Sequence, residues 1–138
     1  MLRVRDLMSS EVVTLGRDET LDIADRIMAL GRIRHMPVVD ADGRLVGVVS
    51  QRDLFRGALA TALGLTHAIQ TKVLGAITVH EIMTADPLTT TPDTPLMESA
   101  QVMLRHKIGC LPVVEGDQLV GILTEADFVA NFCMGKSR

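Results

Sequence analysis

Residues 48–55, "VVSQRDLF", return downstream at residues 122–129 as "ILTEADFV". Both copies contain two apolar residues, a hydroxyl residue, two variable residues, an acid and two more apolar residues. Such a repetition within a chain of 138 residues indicates an internal duplication, and the extent of the duplication decides the fold.

The duplication covers nearly the whole chain. "VRDLMSSEVVTLGRDETL", which begins at Val4, matches "VHEIMTADPLTTTPDTPL", which begins at Val79, and the register of 75 residues continues to "PVVD" and "PVVE". One residue is then lost, because "DADGR" faces "EGDQ", and the match resumes 74 residues apart up to Asp53 and Asp127. The sequence therefore predicts two copies of one structural unit.

Each copy predicts the element order β-α-β-β-α. Residues 12–15 form a short β-prone run, and Thr20 opens a helix, as Pro95 does in copy two, where a first-turn proline is tolerated. The apolar residues of the first helix recur at helical spacing on one face: Leu21, Ala24, Ile27 and Met28. "MPVVD" and "RLVGVVS" are too short for helices and predict two strands joined by a turn, and a second helix follows Ser50.

One copy alone is too small to bury its sheet, so the two copies are expected to pack together. The predicted fold is α/β (α+β), with two β-α-β-β-α repeats related by a pseudo-twofold axis and with "MPVVD" and "LPVVE" buried. We place repeat one at residues 1–57, a helical linker at 58–76, repeat two at 77–134 and a C-terminal tail at 135–138. The Ala/Leu-rich residues 56–77, with Gly64 and Gly75 as breakers, predict a prolonged helix, a turn and a short helix.

Composition excludes several classes of function. The net charge is −3 without a basic stretch, and the chain has no Trp, no Tyr and three Phe, so nucleic acid is not an expected partner. The N-terminus carries charges where a signal peptide needs apolar residues, and no apolar run has membrane-spanning length. Cys110 and Cys133 lack metal-ligand spacing and are expected to be reduced thiols. The prediction is a cytoplasmic protein without a membrane segment or a metal.

The sequence offers no catalytic arrangement. A nucleophile with its base and orienting partner would require a Cys–His or Ser–His–Asp set, and no such set is evident. We therefore expect no enzyme activity and no required cofactor.

The repeated Ser/Thr-x-x-Asp has two interpretations that the residues leave open. Ser50-x-x-Asp53 and Thr124-x-x-Asp127 each stand where a strand turns into a helix, which is the place for a capping box. The same carboxylate could instead accept the two hydroxyls of a ribose, while free N–H groups at the helix start suit a phosphate.

Taken together, these marks resemble a tandem pair of CBS (cystathionine β-synthase) domains, a Bateman-type module. The marks are the apolar-Met pair near the start of each copy ("LM" at residues 7–8 and "IM" at 82–83), the "PVVD" or "PVVE" strand, and Gly-apolar-apolar-Ser/Thr-x-x-Asp, all present twice in register. The resemblance implies two clefts between the copies that bind an adenosyl ligand: AMP, ADP, ATP or S-adenosylmethionine. It also implies that Asp53 and Asp127 hold the ribose, with Ser50 and Thr124 beside the phosphates.

The resemblance implies further site residues before each strand proline. These positions hold Ile33, Arg34 and His35 in copy one, and Ile108, Gly109 and Cys110 in copy two. Arg34 would bind phosphate, and copy two lacks this charge, with Lys107 as the remaining nearby cation. Val48 and Ile122 would flank the base, and the glycine before each of them would allow a close approach of backbone or ligand.

Two hypotheses follow. The first is a stand-alone CBS pair that senses an adenine nucleotide, forms a homodimer through its helical faces and signals to an unknown regulated protein partner. The alternative is a dimerisation or scaffold module with empty clefts, in which the aspartates act only as caps, or a sensor of S-adenosylmethionine.

Overall fold

The computed structural model of the chain describes residues 1–62, 72 and 74–134. In the first half the elements are α1 (Val4–Leu7), β1 (Leu15–Gly16), α2 (Leu21–Gly31), β2 (His35–Val39), β3 (Leu45–Ser50) and α3 (Gln51–Ala62). In the second half they are α4 (Val79–Ile82), β4 (Thr84–Ala85), α5 (Leu96–His106), β5 (Cys110–Glu115), β6 (Gln118–Thr124) and α6 (Glu125–Met134).

The predicted strands and long helices are present, which confirms a mixed fold of two related repeats. The first helix begins after Thr20, as predicted, and the hydroxyl of Thr20 donates a hydrogen bond that lowers the pKa of Asp22. The β-prone run at 12–15 forms a strand only at its end, in β1. The one-turn helices α1 and α4 were not predicted, because four residues are too few to show a helical period.

The chain divides into two compact units that cut across the sequence repeats. Unit I consists of Val13–Asp42 and Val46–Asp86. Unit II consists of Met1–Val12, Gly43–Leu45 and Pro87–Arg138. The beginning of each sequence repeat is thus built into the unit that holds the sheet of the other repeat.

Unit I contains a four-stranded sheet in the order β1-β2-β3-β4. β1 runs parallel to β2, with Leu15 opposite Val38, and β3 runs antiparallel to β4, with Val48 opposite Thr84. The second sequence repeat therefore supplies the edge strand next to β3.

Unit II repeats this arrangement around the antiparallel pair β5 and β6. Cys110 lies opposite Thr124, and a β-bulge interrupts the register between Val113 and Val114. Thr90 forms a parallel bridge to Val113, in the place that β1 occupies in unit I. Ser9 forms an antiparallel bridge to Ile122, in the place of β4.

Each unit has its own hydrophobic core. The buried core residues of unit I are Leu15, Leu21, Ala24, Met28, Met36, Val38, Val49, Leu54 and Val79. Those of unit II are Val4, Leu96, Met103, Leu111, Val113 and Leu123. Val38 and Val113 are completely buried, which confirms that "PVVD" and "PVVE" are core strands.

Glycine 47 and glycine 121 allow the exchanged segments to pack closely. A Cβ atom at Gly47 would lie 2.5 Å from Met83 Sδ and 2.9 Å from the carbonyl oxygen of Thr84. A Cβ atom at Gly121 would lie 2.9 Å from Met8 Sδ and equally close to the Ser9 carbonyl oxygen. The predicted close approach at these glycines is confirmed, and it explains why each copy has both an apolar-Met pair near its start and a glycine in its second strand.

Part of the predicted linker lies outside the described residues, namely 63–71 and 73, as do the predicted tail at 135–138 and the breaker Gly64. The described start of the linker is helical, because α3 continues to Ala62. None of the helices among the described residues combines the length and the hydrophobicity needed to span a bilayer.

Candidate functional site

The start of α3 is a reciprocal capping box. The backbone N–H of Ser50 donates to Asp53 Oδ2 at 2.7 Å, and the backbone N–H of Asp53 donates to Ser50 Oγ at 3.1 Å. Only one carboxylate oxygen is used, so Asp53 Oδ1 accepts no hydrogen bond from any residue that the structure describes. The cap and a ligand-binding role for Asp53 are therefore compatible.

The start of α6 differs in one hydrogen bond. The backbone N–H of Thr124 donates to Asp127 Oδ2 at 2.8 Å, as in the first copy. The Thr124 hydroxyl, however, donates to the same carboxylate oxygen at 3.3 Å. It is thus a donor to Asp127, whereas the Ser50 hydroxyl accepts from the backbone of Asp53.

One backbone hydrogen bond in each unit joins the helix start to the loop before the proline strand. The N–H of Gln51 donates to the carbonyl oxygen of Arg34 at 2.8 Å. The N–H of Glu125 donates to the carbonyl oxygen of Gly109 at 3.0 Å. In unit I this bond joins the two segments that hold the residues proposed from the sequence: Ile33, Arg34, His35, Val48, Ser50 and Asp53. In unit II the corresponding group is Ile108, Gly109, Cys110, Ile122, Thr124 and Asp127.

The two groups differ in the surface that they offer. Arg34 is exposed, and His35 and Val48 are half-buried. In unit II the side chain of Cys110 is only 7% exposed and that of Ile122 is buried. Cys110 and Cys133 do not form a disulfide with each other. The unit I group therefore presents a basic side chain to solvent, and the unit II group does not.

The residues after each repeated methionine lie beside these two groups, and the sequence did not predict this position for them. Ser9 exchanges two backbone hydrogen bonds with Ile122, of 2.9 and 3.0 Å, and Thr84 pairs with Val48. In unit II a cleft of about 510 Å³ lies beside this bridge, and its polar lining residues are Asp6, Ser9, Ser10, Glu11, Asp127 and Asn131. The match of "MSSE" to "MTAD" was visible in the sequence, but nothing local indicates that it contacts the other copy.

Unit I carries a separate, mainly apolar groove on the helical side. It is lined by Leu21, Leu54, Phe55, Ala58 and Leu74, together with Asp25, Gln51 and Arg52. Phe55 is 64% exposed, which is unusual for a large aromatic side chain. This groove is distinct from the group around Asp53.

Comparison with protein families gives one match, to the CBS domain, at residues 4–60 and 79–132. A CBS domain-containing protein of Dictyostelium discoideum is 32% identical over 91% of this chain and 88% of its own length. The homoserine O-acetyltransferase of Methanococcoides burtonii is 35% identical over 90% of this chain, which spans only 23% of the length of that enzyme.

Solved structures of similar fold include two with bound adenosyl compounds. A Vibrio cholerae protein assigned to acetoin utilization, AcuB, has a TM-score of 0.82 and 40% identity, over 97% of this chain and 92% of that one. The CBS domain pair of protein MJ0100, in complex with 5′-methylthioadenosine and S-adenosylmethionine, has a TM-score of 0.80 and 29% identity over 99% of both chains. CBSX2 in complex with AMP has a TM-score of 0.78 and 26% identity, over 99% of this chain and 100% of that one.

Proposed function

Because the chain belongs to the CBS domain family and contains two such domains, we propose that it is a regulatory module that senses an adenine nucleotide. The ligand in this proposal is AMP, ADP or ATP, held by the residue group around Asp53 and, more weakly, by the group around Asp127. The single observation that carries the proposal is the carboxylate of Asp53, which completes a helix cap with Oδ2, while its Oδ1 accepts no hydrogen bond from any residue that the structure describes. AMP in CBSX2 and S-adenosylmethionine in MJ0100 support an adenosyl ligand.

The proposed roles follow from the chemistry of each group. Asp53 Oδ1 accepts ribose hydroxyl groups, as the acid of a dinucleotide site does. Arg34 supplies a permanent positive charge for phosphate, and the half-buried Val48 contacts one face of the base. In unit II, Gly109 and Cys110 stand at the positions of Arg34 and His35. We therefore propose that phosphate is bound more tightly in unit I.

We expect Asp53→Asn to weaken AMP binding about tenfold while the free energy of unfolding stays within about 0.5 kcal/mol. The asparagine oxygen can keep the bond from the Ser50 N–H. The amide NH2 replaces the open oxygen and cannot accept a ribose hydroxyl. Isothermal titration calorimetry measures the affinity, and urea denaturation measures the stability.

The matched control is Asp127→Asn, which we expect to weaken AMP binding less than about threefold. Arg34→Ala should weaken ATP binding more than adenosine binding, since adenosine has no phosphate. If AMP affinity is the same in both aspartate variants, the ranking of the two groups is wrong. If the wild-type protein binds no adenosyl compound at all, the aspartates are caps only and the chain is a dimerisation or scaffold module.

Several relatives are enzymes, but their similarity to this chain does not support a catalytic role for it. This chain aligns with less than a quarter of each homoserine O-acetyltransferase, so it matches only one part of those enzymes. We propose that it changes the activity of a separate protein partner when nucleotide binds, and that it has no catalytic activity of its own.

We also propose a homodimer formed through the helical faces. In unit I, Phe55 and Leu59 are exposed on α3. In unit II, Val129 and Phe132 are exposed on α6, and the register of the repeat aligns Val129 with Phe55. Exposed apolar side chains clustered on one helix typically mark an interface, and twofold pairing is the commonest closure of identical chains.

We expect light scattering to report a dimer at micromolar concentration and Phe55→Glu to weaken dimerisation at least tenfold, because it buries a charge at the interface. Leu88→Glu is the control, since Leu88 is 46% exposed but lies on neither α3 nor α6. A monomeric wild-type protein would contradict the dimer, and equal dissociation by both variants would contradict this location of the interface.

A further inference from the structure

The apolar groove of unit I is a hollow on the side of α3. Its apolar lining consists of Leu21, Leu54, Phe55, Ala58 and Leu74, and its volume is about 540 Å³. Phe55 is 64% exposed, so apolar surface of the groove faces solvent. A hollow of this size can admit a large side chain from outside the unit.

Helix α6 of unit II carries the opposite shape. Phe132 is 88% exposed, and Val129, three residues before it, is 59% exposed. Residues three apart lie next to each other on a helix surface, so these two side chains form an apolar ridge. We call Val129 and Phe132 the α6 ridge. Large apolar side chains that are adjacent and this exposed mark an interaction surface.

The groove and the α6 ridge occupy equivalent positions of the repeat. In the register of 74 residues that relates α3 to α6, Ala58 corresponds to Phe132. Unit I thus has a small side chain beside a hollow where unit II has an exposed aromatic ring. Two copies of α3 in contact would set one hollow against another, and two copies of α6 would set one ring against another. Shape therefore favours a contact between α3 and the α6 of a second copy.

The charges of the two helices are complementary as well. Arg52 and Arg56 are exposed on α3, one turn apart, and their equivalents in α6 are Ala126 and Ala130. The exposed charged residue of α6 is Glu125. A contact between two α3 helices would gather the guanidinium groups of both copies at one interface, which costs free energy because like charges repel. A contact between α3 and α6 sets guanidinium groups against a carboxylate.

We infer that α6 of one copy docks on α3 of a second copy, with the Phe132 side chain of one copy in the unit I groove of the other. The inference rests on the proposed homodimer and assigns its pairing, in which unlike helices face each other. Twofold symmetry makes this contact occur twice in a dimer. Phe132 is the anchor of the interface, since an aromatic side chain in a desolvated pocket commonly carries much of the binding energy.

The first experiment exchanges the large and the small side chain within one chain. Phe132→Ala removes the anchor and Ala58→Phe fills the groove, so each should raise the dissociation constant of the dimer at least tenfold. The double variant Ala58→Phe/Phe132→Ala again sets a large side chain against a small one, and its dissociation constant should return to within about threefold of the wild-type value. Sedimentation equilibrium with interference optics measures the constant, since the chain has no Trp or Tyr for detection by absorbance.

The second experiment tests the charges and alters exposed residues only. Glu125→Lys should weaken the dimer about fivefold at low ionic strength, because α6 then opposes α3 with a like charge. Adding Arg52→Glu and Arg56→Glu to the same chain should recover most of the loss. This arm decides the pairing even if Ala58→Phe impairs folding, which circular dichroism checks for each variant. Leu88→Ala is the control and should change the constant less than about twofold, since Leu88 is 46% exposed but lies on neither helix.

The outcomes separate this pairing from the proposed homodimer. A monomeric wild-type protein would overturn both. A Phe132→Ala protein that dimerises with wild-type affinity would overturn the pairing alone. The same conclusion follows if the single changes weaken the dimer and neither combined variant recovers it. In a dimer of like helices the combined variants would oppose large side chains to each other and like charges to each other, so recovery is expected only when α3 faces α6.

Discussion

Gly47→Ala is expected to lower the free energy of unfolding by about 3 kcal/mol, a large part of the stability of a small protein. The added methyl group would lie 2.5 Å from Met83 Sδ and 2.9 Å from the Thr84 carbonyl oxygen. The methionine side chain can rotate away, but the carbonyl oxygen belongs to β4 and moves only if the pairing with β3 is disturbed. Urea denaturation followed by circular dichroism measures the effect, since the chain has no Trp or Tyr to report by fluorescence.

Gly16→Ala is the matched control for this substitution. A Cβ atom at Gly16 would have no heavy atom within 4 Å, and its backbone does not have the left-handed conformation that favours glycine. The free energy of unfolding of the Gly16→Ala variant should stay within about 0.5 kcal/mol of the wild-type value. If the two alanine variants are equally stable, the packing of the Met83–Thr84 segment against β3 is looser than the structure describes.

Thr90→Val is expected to destabilise the protein by about 2 kcal/mol, although it changes only a hydroxyl to a methyl group. Thr90 Oγ1 and Ser99 Oγ are 2.7 Å apart, and Ser99 is 2% exposed. In the Thr90→Val variant the Ser99 hydroxyl would stay buried but would lose its hydrogen bond to the Thr90 hydroxyl. The backbone of Thr90 should hold its place, because its N–H and carbonyl groups bond to Pro112 and Val114.

The double variant Thr90→Val/Ser99→Ala tests this explanation. It removes both hydroxyls, and we expect it to recover most of the lost stability, so that the two substitutions are strongly non-additive in urea denaturation. Unit I already contains such an apolar pair, since Leu15 and Ala24 occupy the equivalent positions and are fully buried. A double variant that is less stable than Thr90→Val would show that packing, and not the unpaired hydroxyl, controls the loss.

Much of the fold could be predicted from the sequence because its signals are local. "MPVVD" and "RLVGVVS" are apolar runs of strand length, and Leu21, Ala24 and Met28 mark the buried face of α2. The capping interpretation of Ser50-x-x-Asp53 also depends only on neighbours in the chain, and the structure contains that box. Because the second half of the sequence repeats the first, the same predictions could be made for the equivalent residues of the second half.

The remaining features depend on contacts between distant parts of the sequence. Val4 and Val79 are equivalent in the repeat, but nothing near them indicates that each enters the core built around the other repeat's sheet. For the same reason the sequence did not reveal that Ser9 lies beside Ile122 or that Glu11 lines a cleft with Asp127. The positions of ligand-contacting residues in each group stay predictions until binding is measured.

The exchange of the leading segments imposes an order on synthesis by the ribosome. Unit I, from Val13 to Asp86, is fully translated before β6 exists, so its core can close early. Unit II needs Met1–Val12, which emerge before the rest of that unit, and Ser9 has no strand to pair with until Ile122 has left the exit tunnel. At about 5–20 residues per second, the apolar Val4 and Leu7 stay without their final neighbours for several seconds. During this interval the segment Met1–Val12 is exposed on the nascent chain without the rest of its unit, and chaperones or a second nascent copy can bind it.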